Sequence, residues 1–480
     1  MDSFDLLVIG GGINGAAIAR DAAGRGLSVL LVERDDLASH TSSASSKLVH
    51  GGLRYLEQYE FRLVRESLRE REVLLRNAPH IVRPLRFILP DPSGGRPWWL
   101  IRLGLLLYGV LAGRSSLKRP RAVRKDDEAV RDPLKGDFML AEYWDAWVDD
   151  ARLAVLNAMD AKLRGAEIAT RTEFLAARRD SRRWIATLSG GREVSARMIV
   201  NAAGPWVAEV LHRRLGEDSR AGVRLVKGSH VVVPRLYEAD HAYILQQPDG
   251  RVVFALPYGA FSLVGTTDTP VTEPEEEAPD AAEIAYLCEA ANRYFVRQTR
   301  PADVVWSFGG IRALYDDGAA DAKDVTRDYR LELDEDGPKL LSVFGGKITT
   351  ARALATEALD KLGVDGLKFT ATSHLPGGDI DVHFNSWLRE LAAWMPEPML
   401  LRMAQAYGTR LRRVLEDAAS LDDLGRHFGA DLYEAEVRYL VDKEFARTSE
   451  DIVWRRTKLG LRLSPKEQRE LGNFVASLLA

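Results

Sequence analysis

The sequence predicts an α/β protein (α+β overall) with three parts: a parallel α/β domain, a largely antiparallel sheet and a C-terminal helical domain. A strand, a glycine turn, a helix and a second strand follow one another from Leu6 to Glu33. Apolar, β-branched runs separated by turn residues occupy 223–268, which is typical of antiparallel strands. After Gly377 and Gly378 the pattern becomes amphipathic and helical.

Length and composition limit the class of protein. A chain of 480 residues exceeds one ordinary hydrophobic core, so two or three domains are expected. The net charge of -4 gives no general basis for binding nucleic acid. A single cysteine, Cys288, excludes an intrachain disulfide framework and indicates a reducing, cytoplasmic compartment. No signal-peptide pattern precedes the first strand, so export is not expected.

The first strand-turn-helix unit carries the strongest local signal. Gly10, Gly12 and Gly15 form G-x-G-x-x-G at the turn, where glycines permit a tight bend and close backbone approach to a pyrophosphate. Glu33 ends the second strand, in position to accept hydrogen bonds from ribose hydroxyls. The unit predicts a Rossmann-like domain with one dinucleotide, because no second such motif occurs. FAD and NAD share this fingerprint, so both stay open on these residues alone.

Two further strand-turn-helix units lie far along the chain, at 196–211 and 339–359. The first turns at Pro205, and the second turns at Gly345, Gly346 and Lys347. A helix N-terminus at either turn could direct backbone amides at a cofactor, as an enclosed flavin requires. An ordinary connection between a strand and a helix is the alternative for each.

Several of these motifs closely resemble the FAD-dependent glycerol-3-phosphate dehydrogenases of aerobic bacterial respiration. They include "GGGINGAAIARDAAGRGLSVLLVE", "TSSASSKLVHGGLRYLE", "NAAGPWV", "VGTTDT", "GGIRAL" and "LLSVFGGKITTARALA", which run in family order. Single motifs would also suit flavoproteins of the glycine-oxidase type. The chain departs from the family pattern at Ala313, where proline is usual, and at Ala203, where threonine is usual. Ala313 is expected to leave the direction of Arg312 less fixed.

The resemblance implies a domain organisation. Residues 1–75, 150–220 and 320–370 would form a discontinuous FAD-binding domain of the glutathione-reductase and glycine-oxidase type. Residues 76–149 and 221–319 would form the substrate-binding and membrane-facing region. Residues 376–480 would form a C-terminal helical cap, for which a dimerisation module, and hence a homodimer, is the alternative.

The same resemblance implies which residues hold the cofactor. Hydroxyls between positions 41 and 46 can donate to pyrophosphate and ribityl oxygens, and the two adjacent glycines let the backbone pass the isoalloxazine. The expected FAD-binding residues are Gly10, Gly12, Ile13, Asn14, Gly15, Glu33, Arg34, Thr41, Ser42, Ser45, Ser46, Lys47, His50, Gly51, Gly52, Leu53, Ala203, Gly204, Trp206, Gly346, Lys347, Ile348 and Thr349.

A substrate of this family carries a phosphate and a secondary alcohol, sn-glycerol 3-phosphate being oxidised to dihydroxyacetone phosphate. Arginine binds phosphate bidentately and lysine binds it as a point charge, so the expected catalytic and phosphate-binding cations are Arg54, Arg312 and Lys347. Tyr55, Thr267 and Asp268 are expected beside them. His50 or His230 would take the hydroxyl proton, with water or an arginine-assisted transfer left open. No residue spacing indicates a metal site.

One stretch of the sequence indicates where in the cell the protein is located. Residues 96–125 contain eight basic residues and no acidic ones, with Trp98, Trp99 and Tyr108 around a leucine-rich core. Such a segment suits an anionic lipid surface, although a buried helix with basic ends is the alternative. Residues 454–463 could add to it. The protein is therefore expected at the inner face of the cell membrane, where, as the family resemblance implies, its electrons would pass to quinone. The rival functions are a glycerophosphate oxidase using O2, an amine-oxidising flavoprotein and a flavin-carrying sensor without turnover.

Overall fold

Strands and helices alternate through most of the chain, and its C-terminal part is helical. The computed structural model describes residues 1–52, 59–91, 98–217, 222–316 and 329–480. The strands are β1 (Asp2–Ile9), β2 (Val29–Val32), β3 (Leu48–Val49), β4 (Val82–Asp91), β5 (Arg121–Ala122), β6 (Met139–Val148), β7 (Glu167–Ala169), β8 (Phe174–Arg179), β9 (Trp184–Leu188), β10 (Glu193–Asn201), β11 (Val223–Pro234), β12 (His241–Gln246), β13 (Val252–Tyr258), β14 (Phe261–Gly265), β15 (Thr269–Val271), β16 (Trp306–Tyr315), β17 (Arg330–Asp334) and β18 (Leu340–Phe344). The α-helices are α1 (Ile13–Gly24), α2 (Phe61–Asn77), α3 (Trp98–Ala112), α4 (Glu128–Arg131), α5 (Asp150–Leu163), α6 (Val207–Glu209), α7 (Ala281–Asn292), α8 (Ala351–Lys361), α9 (Phe384–Leu391), α10 (Glu397–Tyr407), α11 (Leu411–Leu415), α12 (Glu434–Lys443) and α13 (Pro465–Leu479).

The first sheet is the parallel α/β sheet that the sequence predicts. Its order is β17-β18-β10-β1-β2-β7, with β18, β10, β1, β2 and β7 mutually parallel. In β1, Leu6 and Val8 pack in the core with α1, α5 and α8, while Leu7 and Ile9 pack in a second core with Trp184 of β9. Both faces of β1 are therefore covered, which explains why its sequence is a continuous apolar run.

The second sheet is largely antiparallel. Its order is β15-β11-β14-β13-β12-β4-β6-β3, with β16 added to β11 and β5 added to β6, and β12 pairs parallel to β4. Leu287 and Phe295, from α7 and the turn after it, lie in the core on one face. Leu68 of α2 and Leu105 of α3 lie in the core on the other face. The fold class predicted from the sequence is confirmed.

Helix α3 is apolar on both sides. Ile101, Leu105 and Tyr108 are buried against the second sheet. The other side presents exposed apolar side chains, namely Trp99 (66% exposed), Leu100 (41%), Leu103 (52%), Leu106 (64%), Leu107 (36%) and Val110 (68%). Among the residues that the structure describes, no helix combines the length and the hydropathy needed to cross a bilayer.

The C-terminal helices share a core with the parallel sheet. Side chains of α10, α12 and α13 belong to the same apolar cluster as α1, α5 and α8. Buried ion pairs add to this contact, because Arg152 of α5 binds Glu444 at 2.8 Å and Asp36 binds both Arg455 (2.6 Å) and Arg456 (2.7 Å). The expectation that 454–463 adds to a lipid surface is wrong for these two arginines, since Asp36 draws them into the interior.

Candidate functional site

A cavity of about 370 Å³ is lined by residues of both sheets. Ile9 and Val32 of the parallel sheet contribute to its wall, as do His230 and Ile311 of the second sheet. Most of the side chains expected to bind cofactor or substrate line this one cavity: Gly10, Gly12, Ile13, Asn14, Glu33, Arg34, Thr41, Ser42, Ser45, Ser46, His50, Ala203, Gly204, Trp206, His230, Arg312, Gly346, Lys347, Ile348 and Thr349.

The glycine turn between β1 and α1 requires glycine for backbone reasons. Gly10 has a φ of 105°, and a Cβ there would lie 2.6 Å from the carbonyl oxygen of Ala202. A Cβ on Gly15 would lie 2.0 Å from the carbonyl oxygen of Gly10, so the helix could not approach the strand. Gly12 differs, because its added Cβ would meet Ser42 Oγ at 3.1 Å and otherwise face the cavity that Gly12 lines.

Glu33 is held in place as a hydrogen-bond acceptor. Its Oε2 accepts from the Gly11 amide at 2.7 Å, and its Oε1 accepts from the Asp35 amide at 2.9 Å. Burial raises the pKa of Glu33, and these backbone donors oppose that shift. Beside it, the guanidinium of Arg34 stacks over the ring of Trp206 at 4.1 Å. The carboxylate keeps lone pairs for a ligand hydroxyl at the cavity wall.

The hydroxyl run from 41 to 46 connects the start of α1 to the second sheet. Ser42 Oγ accepts from the Ile13 amide at 3.0 Å, which places it at the helix N-terminus. Thr41 Oγ1 donates to the carbonyl oxygen of Ile311 in β16 at 2.7 Å. Ser46 Oγ lies 2.8 Å from His230 Nε2 in β11. The run therefore follows the cavity from the glycine turn to the second sheet.

Several expected cofactor residues support the cavity without lining it. Lys47 is 1% exposed, and its Nζ donates to Asp150 Oδ2 at 2.6 Å and to the carbonyl oxygen of Ser43. Ser45 Oγ donates to the same Asp150 oxygen at 2.7 Å. We therefore correct the expectation that Lys47 contacts the cofactor, since its charge is neutralised beneath the loop. Gly15, Gly51 and Gly52 also lie outside the cavity lining.

The two candidate base histidines have different surroundings. His50 is half-buried and lines the cavity, and burial together with the charge of Lys347 lowers its pKa to about 4. His230 is 3% exposed, and its ring stacks on Phe308 at 4.9 Å. Burial and the charges of Lys47 and Arg312 lower the pKa of His230 to about 3. Both imidazoles are therefore neutral at pH 7, each with one ring nitrogen unprotonated.

Arg312 of β16 lines the cavity and is oriented by the turn after β14. Its Nη2 donates to Asp268 Oδ1 and, at 3.3 Å, to the carbonyl oxygen of Thr267. This pairing fixes the arginine although Ala313 replaces the family's usual proline. The expectation for Thr267 itself is wrong, because its hydroxyl is buried and donates to Glu283 Oε1 at 3.0 Å. Its neighbour Thr266 lines the cavity instead.

Three expected site residues, Leu53, Arg54 and Tyr55, lie outside the described residues. Other residues line the cavity although no motif indicated them, among them His40, Phe174 and Arg214. His40 immediately precedes the hydroxyl run, and this adjacency was the available signal. Phe174 and Arg214 come from β8 and from the turn after α6, where the sequence carries no pattern that marks them.

The acidic loop at 272–280 also lies at this site. Glu275 Oε1 accepts from the indole Nε1 of Trp206 at 2.8 Å, and Glu277 Oε2 lies 3.4 Å from His40 Nδ1. The ion pairs of His40 with Glu277 and Asp35 raise its pKa against the effect of burial. The loop therefore holds two side chains of the cavity wall.

The residues present fit FAD. Glycine at position 12 leaves space beside an N-terminal helix turn whose first amides have no intrahelical acceptor, as a pyrophosphate requires. Glu33 suits ribose hydroxyls, and Lys347 suits an electron-rich ring. Within the described part of the chain, the buried Oδ1 of Asn14 has no hydrogen-bond partner and lies in the cavity wall, where a ligand donor would complete it.

Comparison with known proteins identifies the family. Residues 5–352 match the family described as FAD dependent oxidoreductase, and residues 369–480 match the C-terminal domain of alpha-glycerophosphate oxidase. A glycerol-3-phosphate dehydrogenase of Pseudomonas aeruginosa is 50% identical over 490 residues, covering 99% of this chain and 95% of that protein. The chain belongs to the FAD-dependent glycerol-3-phosphate dehydrogenase family. The resemblance predicted from the motifs is confirmed, and FAD is the cofactor.

Two further proteins are similar to this chain over nearly its whole length. D-erythritol 1-phosphate dehydrogenase of Brucella abortus is 50% identical over 486 residues, covering 97% of this chain and 96% of that protein. The crystal structure of the glycerol-3-phosphate dehydrogenase from Bacillus halodurans complexed with FAD has a TM-score of 0.75 and 25% identity, covering 99% of this chain and 94% of that one.

Proposed function

We propose that this protein oxidises sn-glycerol 3-phosphate to dihydroxyacetone phosphate and passes the electrons to membrane quinone. One observation carries the proposal: the cations Arg312 and Lys347 and the neutral imidazole of His50 line the same cavity as the dinucleotide turn. Two cations suit a phosphate dianion, and a neutral imidazole suits the proton of a secondary alcohol. FAD, when bound, supplies the acceptor for the hydride that leaves the alcohol carbon.

His50 is the better placed of the two candidate bases. It lines the cavity and is more exposed than His230. His230 has its Nε2 engaged by Ser46 and its ring held against Phe308. We assign proton acceptance to His50, and we assign to His230 the holding of the hydroxyl run through Ser46. Lys347, which depresses the pKa of His50, also stabilises negative charge on the alcohol oxygen as the proton leaves.

Arg312 would bind the substrate phosphate from a fixed direction. Asp268 and the carbonyl oxygen of Thr267 engage its Nη2, which leaves the other guanidinium N–H groups for phosphate oxygens. A phosphate contact here would place the substrate between β16 and the Lys347 turn. Glycerol, which lacks the phosphate, should bind far more weakly.

Anaerobic addition of substrate to the purified flavoprotein tests this proposal. Glycerol 3-phosphate should bleach the visible flavin absorbance, and dihydroxyacetone phosphate should form in equal amount. Glycerol at the same concentration is the control and should leave the spectrum unchanged. Absence of bleaching by glycerol 3-phosphate would refute the proposed activity, and bleaching by glycine would favour an amine oxidase.

A tetritol phosphate is the second candidate substrate, because the Brucella relative is as similar as the Pseudomonas one. Comparison of kcat/KM for glycerol 3-phosphate and D-erythritol 1-phosphate decides between them. Hydrogen peroxide formed in step with substrate use would instead indicate an oxidase, and its absence with quinone reduction supports the dehydrogenase.

The exposed face of α3 supports contact with an anionic bilayer. Its apolar side chains from Trp99 to Val110 are solvated in the monomer, and exposed basic residues, Arg102, Arg114 and Arg119, lie on it and just beyond it. Lys118 and Arg121 are engaged elsewhere, over the ring of Trp144 and with Glu142 respectively. Apolar side chains with flanking cations suit insertion into the headgroup region of a membrane. The inner face of the cell membrane, where quinone is dissolved, is the location this surface fits.

A further inference from the structure

Helix α3 contacts the reaction site through one buried hydroxyl. Tyr108 lies on the inward side of the helix and is 2% exposed. Its hydroxyl accepts a hydrogen bond from the backbone amide of Gly51 at 2.8 Å and donates to Asp145 Oδ2 at 2.7 Å. Gly51 directly follows His50, the residue assigned to accept the proton. The helix with the exposed apolar face is thus hydrogen-bonded to the backbone beside the base.

The Gly51 peptide is closely surrounded by other residues. A Cβ on Gly51 would lie 2.6 Å from the Tyr108 hydroxyl and 2.7 Å from Leu68 Cδ2. Strand β3 ends at Val49, which is paired with Ala146 of β6, so the chain at 50–51 runs on beside Asp145. Tyr108, Leu68 and β6 therefore enclose the Gly51 peptide from several directions.

The hydroxyl itself is anchored by a buried charged network. Asp145 Oδ1 accepts from Arg71 Nη1 at 2.5 Å, and Arg71 and Asp145 are 2% and 0% exposed. Arg71 Nη2 donates to Ser115 Oγ, just beyond the end of α3, at 3.0 Å. Tyr108 of α3 and Ser115 in the segment after it are thereby hydrogen-bonded to Asp145 of β6 and to Arg71 of α2, respectively.

We infer that Tyr108 is a positioning residue, which holds the Gly51 amide so that His50 keeps its place in the cavity. The role explains why a polar tyrosine lies in an otherwise leucine-rich helix. A phenylalanine would fill the same volume, but it would leave the Gly51 amide without its acceptor and Asp145 Oδ2 without its tyrosine donor. The inference rests on the proposed function only in so far as His50 acts on the substrate.

Two measurements on Tyr108→Phe test the inference. Amide hydrogen exchange in the peptide containing Gly51 should become about tenfold faster or more, because the amide loses its acceptor. The rate at which glycerol 3-phosphate bleaches the flavin should fall about tenfold. The substrate concentration for half-maximal bleaching should stay unchanged, because Arg312 lies on β16 and Lys347 lies in the turn after β18, away from Tyr108 in sequence. Protein fold and FAD content are checked by thermal unfolding and by flavin absorbance.

Tyr243→Phe is the matched control. Tyr243 is 0% exposed on the second sheet, and its hydroxyl donates to the carbonyl oxygen of Val130 at 2.6 Å. This variant also loses a buried hydroxyl, but that hydroxyl contacts Val130 and not Gly51. Tyr243→Phe should therefore match the native protein in both measurements. Gly51→Ala tests the contact from the other side, should Tyr108→Phe fail to fold, and it should slow flavin bleaching similarly.

Exchange at Gly51 that is unchanged in Tyr108→Phe would refute the contact. Faster exchange with a native rate of bleaching would refute the positioning role. Equal slowing in Tyr243→Phe would show a general packing effect and would also overturn it. If glycerol 3-phosphate fails to bleach the native flavin, the proposed function and the kinetic half of the inference fall together, and the exchange measurement still decides whether the helix holds Gly51.

Discussion

Replacing Leu103, Leu106 and Val110 by glutamine should release the protein from anionic vesicles. These side chains are 52%, 64% and 68% exposed on the outward face of α3, so the substitutions leave the packed face of the helix intact. Their transfer into the membrane interface would remove their exposed surface from water. The folded protein should therefore keep its FAD and lose only its lipid contact.

The size of the effect follows from the exposed fractions. Complete burial of a valine or leucine side chain contributes about 1.5–3 kcal/mol, so a side chain exposed by half to two-thirds contributes about 1–2 kcal/mol. Three such side chains contribute about 3–6 kcal/mol, which corresponds to about two to four orders of magnitude in the partition constant. A loss of that size should move the protein from the vesicle pellet to the supernatant.

The assay is co-sedimentation with vesicles containing anionic lipid, together with activity measured with a soluble dye and with a quinone. The triple variant should keep dye-linked activity and lose most quinone-linked activity. A control triple variant replaces Val296, Leu367 and Val382, which are 58%, 76% and 91% exposed on other elements, by glutamine. Sedimentation that is the same for both triple variants would refute the reasoning about α3.

Three further outcomes are expected. Gly12→Val should yield folded protein without FAD, because the added methyl groups would occupy the cavity beside Ser42. Gly104→Val is the control and should retain FAD, because a Cβ at Gly104 would meet nothing within 4 Å. Arg312→Ala should raise KM for glycerol 3-phosphate about ten- to a hundredfold with FAD retained, since a charge-assisted hydrogen bond contributes about 1.5–3 kcal/mol. Arg300, whose side chain is 78% exposed, is the control, and Arg300→Ala should leave KM unchanged. A native KM in Arg312→Ala would remove that arginine from the site. The kcat should stay level as pH falls from 8 to about 5, because a His50 pKa of about 4 keeps the base neutral until more acidic pH. The KM should rise below about pH 6, because the substrate phosphate is then protonated from the dianion to the monoanion. A kcat that falls with a midpoint near 6.5 would contradict the assignment of His50.

Local patterns were sufficient for the nucleotide turn and for the two sheets. Gly10, Gly12, Gly15 and Glu33 are fixed by the geometry of a short strand-turn-helix unit, which depends on neighbours within a few dozen residues. The continuous apolar run from Leu6 to Ile9 in β1 likewise predicts a strand covered on both faces. These features could be read because sequence distance and spatial distance nearly coincide there.

Partners from distant segments could not be read in the same way. Lys47 resembles a phosphate ligand in its hydroxyl run, but Asp150 binds it from 103 positions away. In the sequence, Arg455 and Arg456 resemble part of a basic surface. In the structure both are buried and bind Asp36, which lies 419 and 420 positions away. The prediction for Thr267 is wrong by one residue. Its neighbour Thr266 lines the cavity, whereas the Thr267 hydroxyl donates to Glu283.

The pairing of Asp36 with Arg455 and Arg456 makes the loop beside the cavity depend on the C-terminal helical region. Asp36 lies three positions after Glu33, at the loop that borders the cofactor, and its charge is compensated by the last tenth of the chain. A buried carboxylate left without its partners costs about 3–5 kcal/mol, so the loop and the C-terminal segment are expected to hold this packing only together. The glycine turn is built from neighbouring residues, whereas the loop that follows it is completed by arginines 419 and 420 positions away.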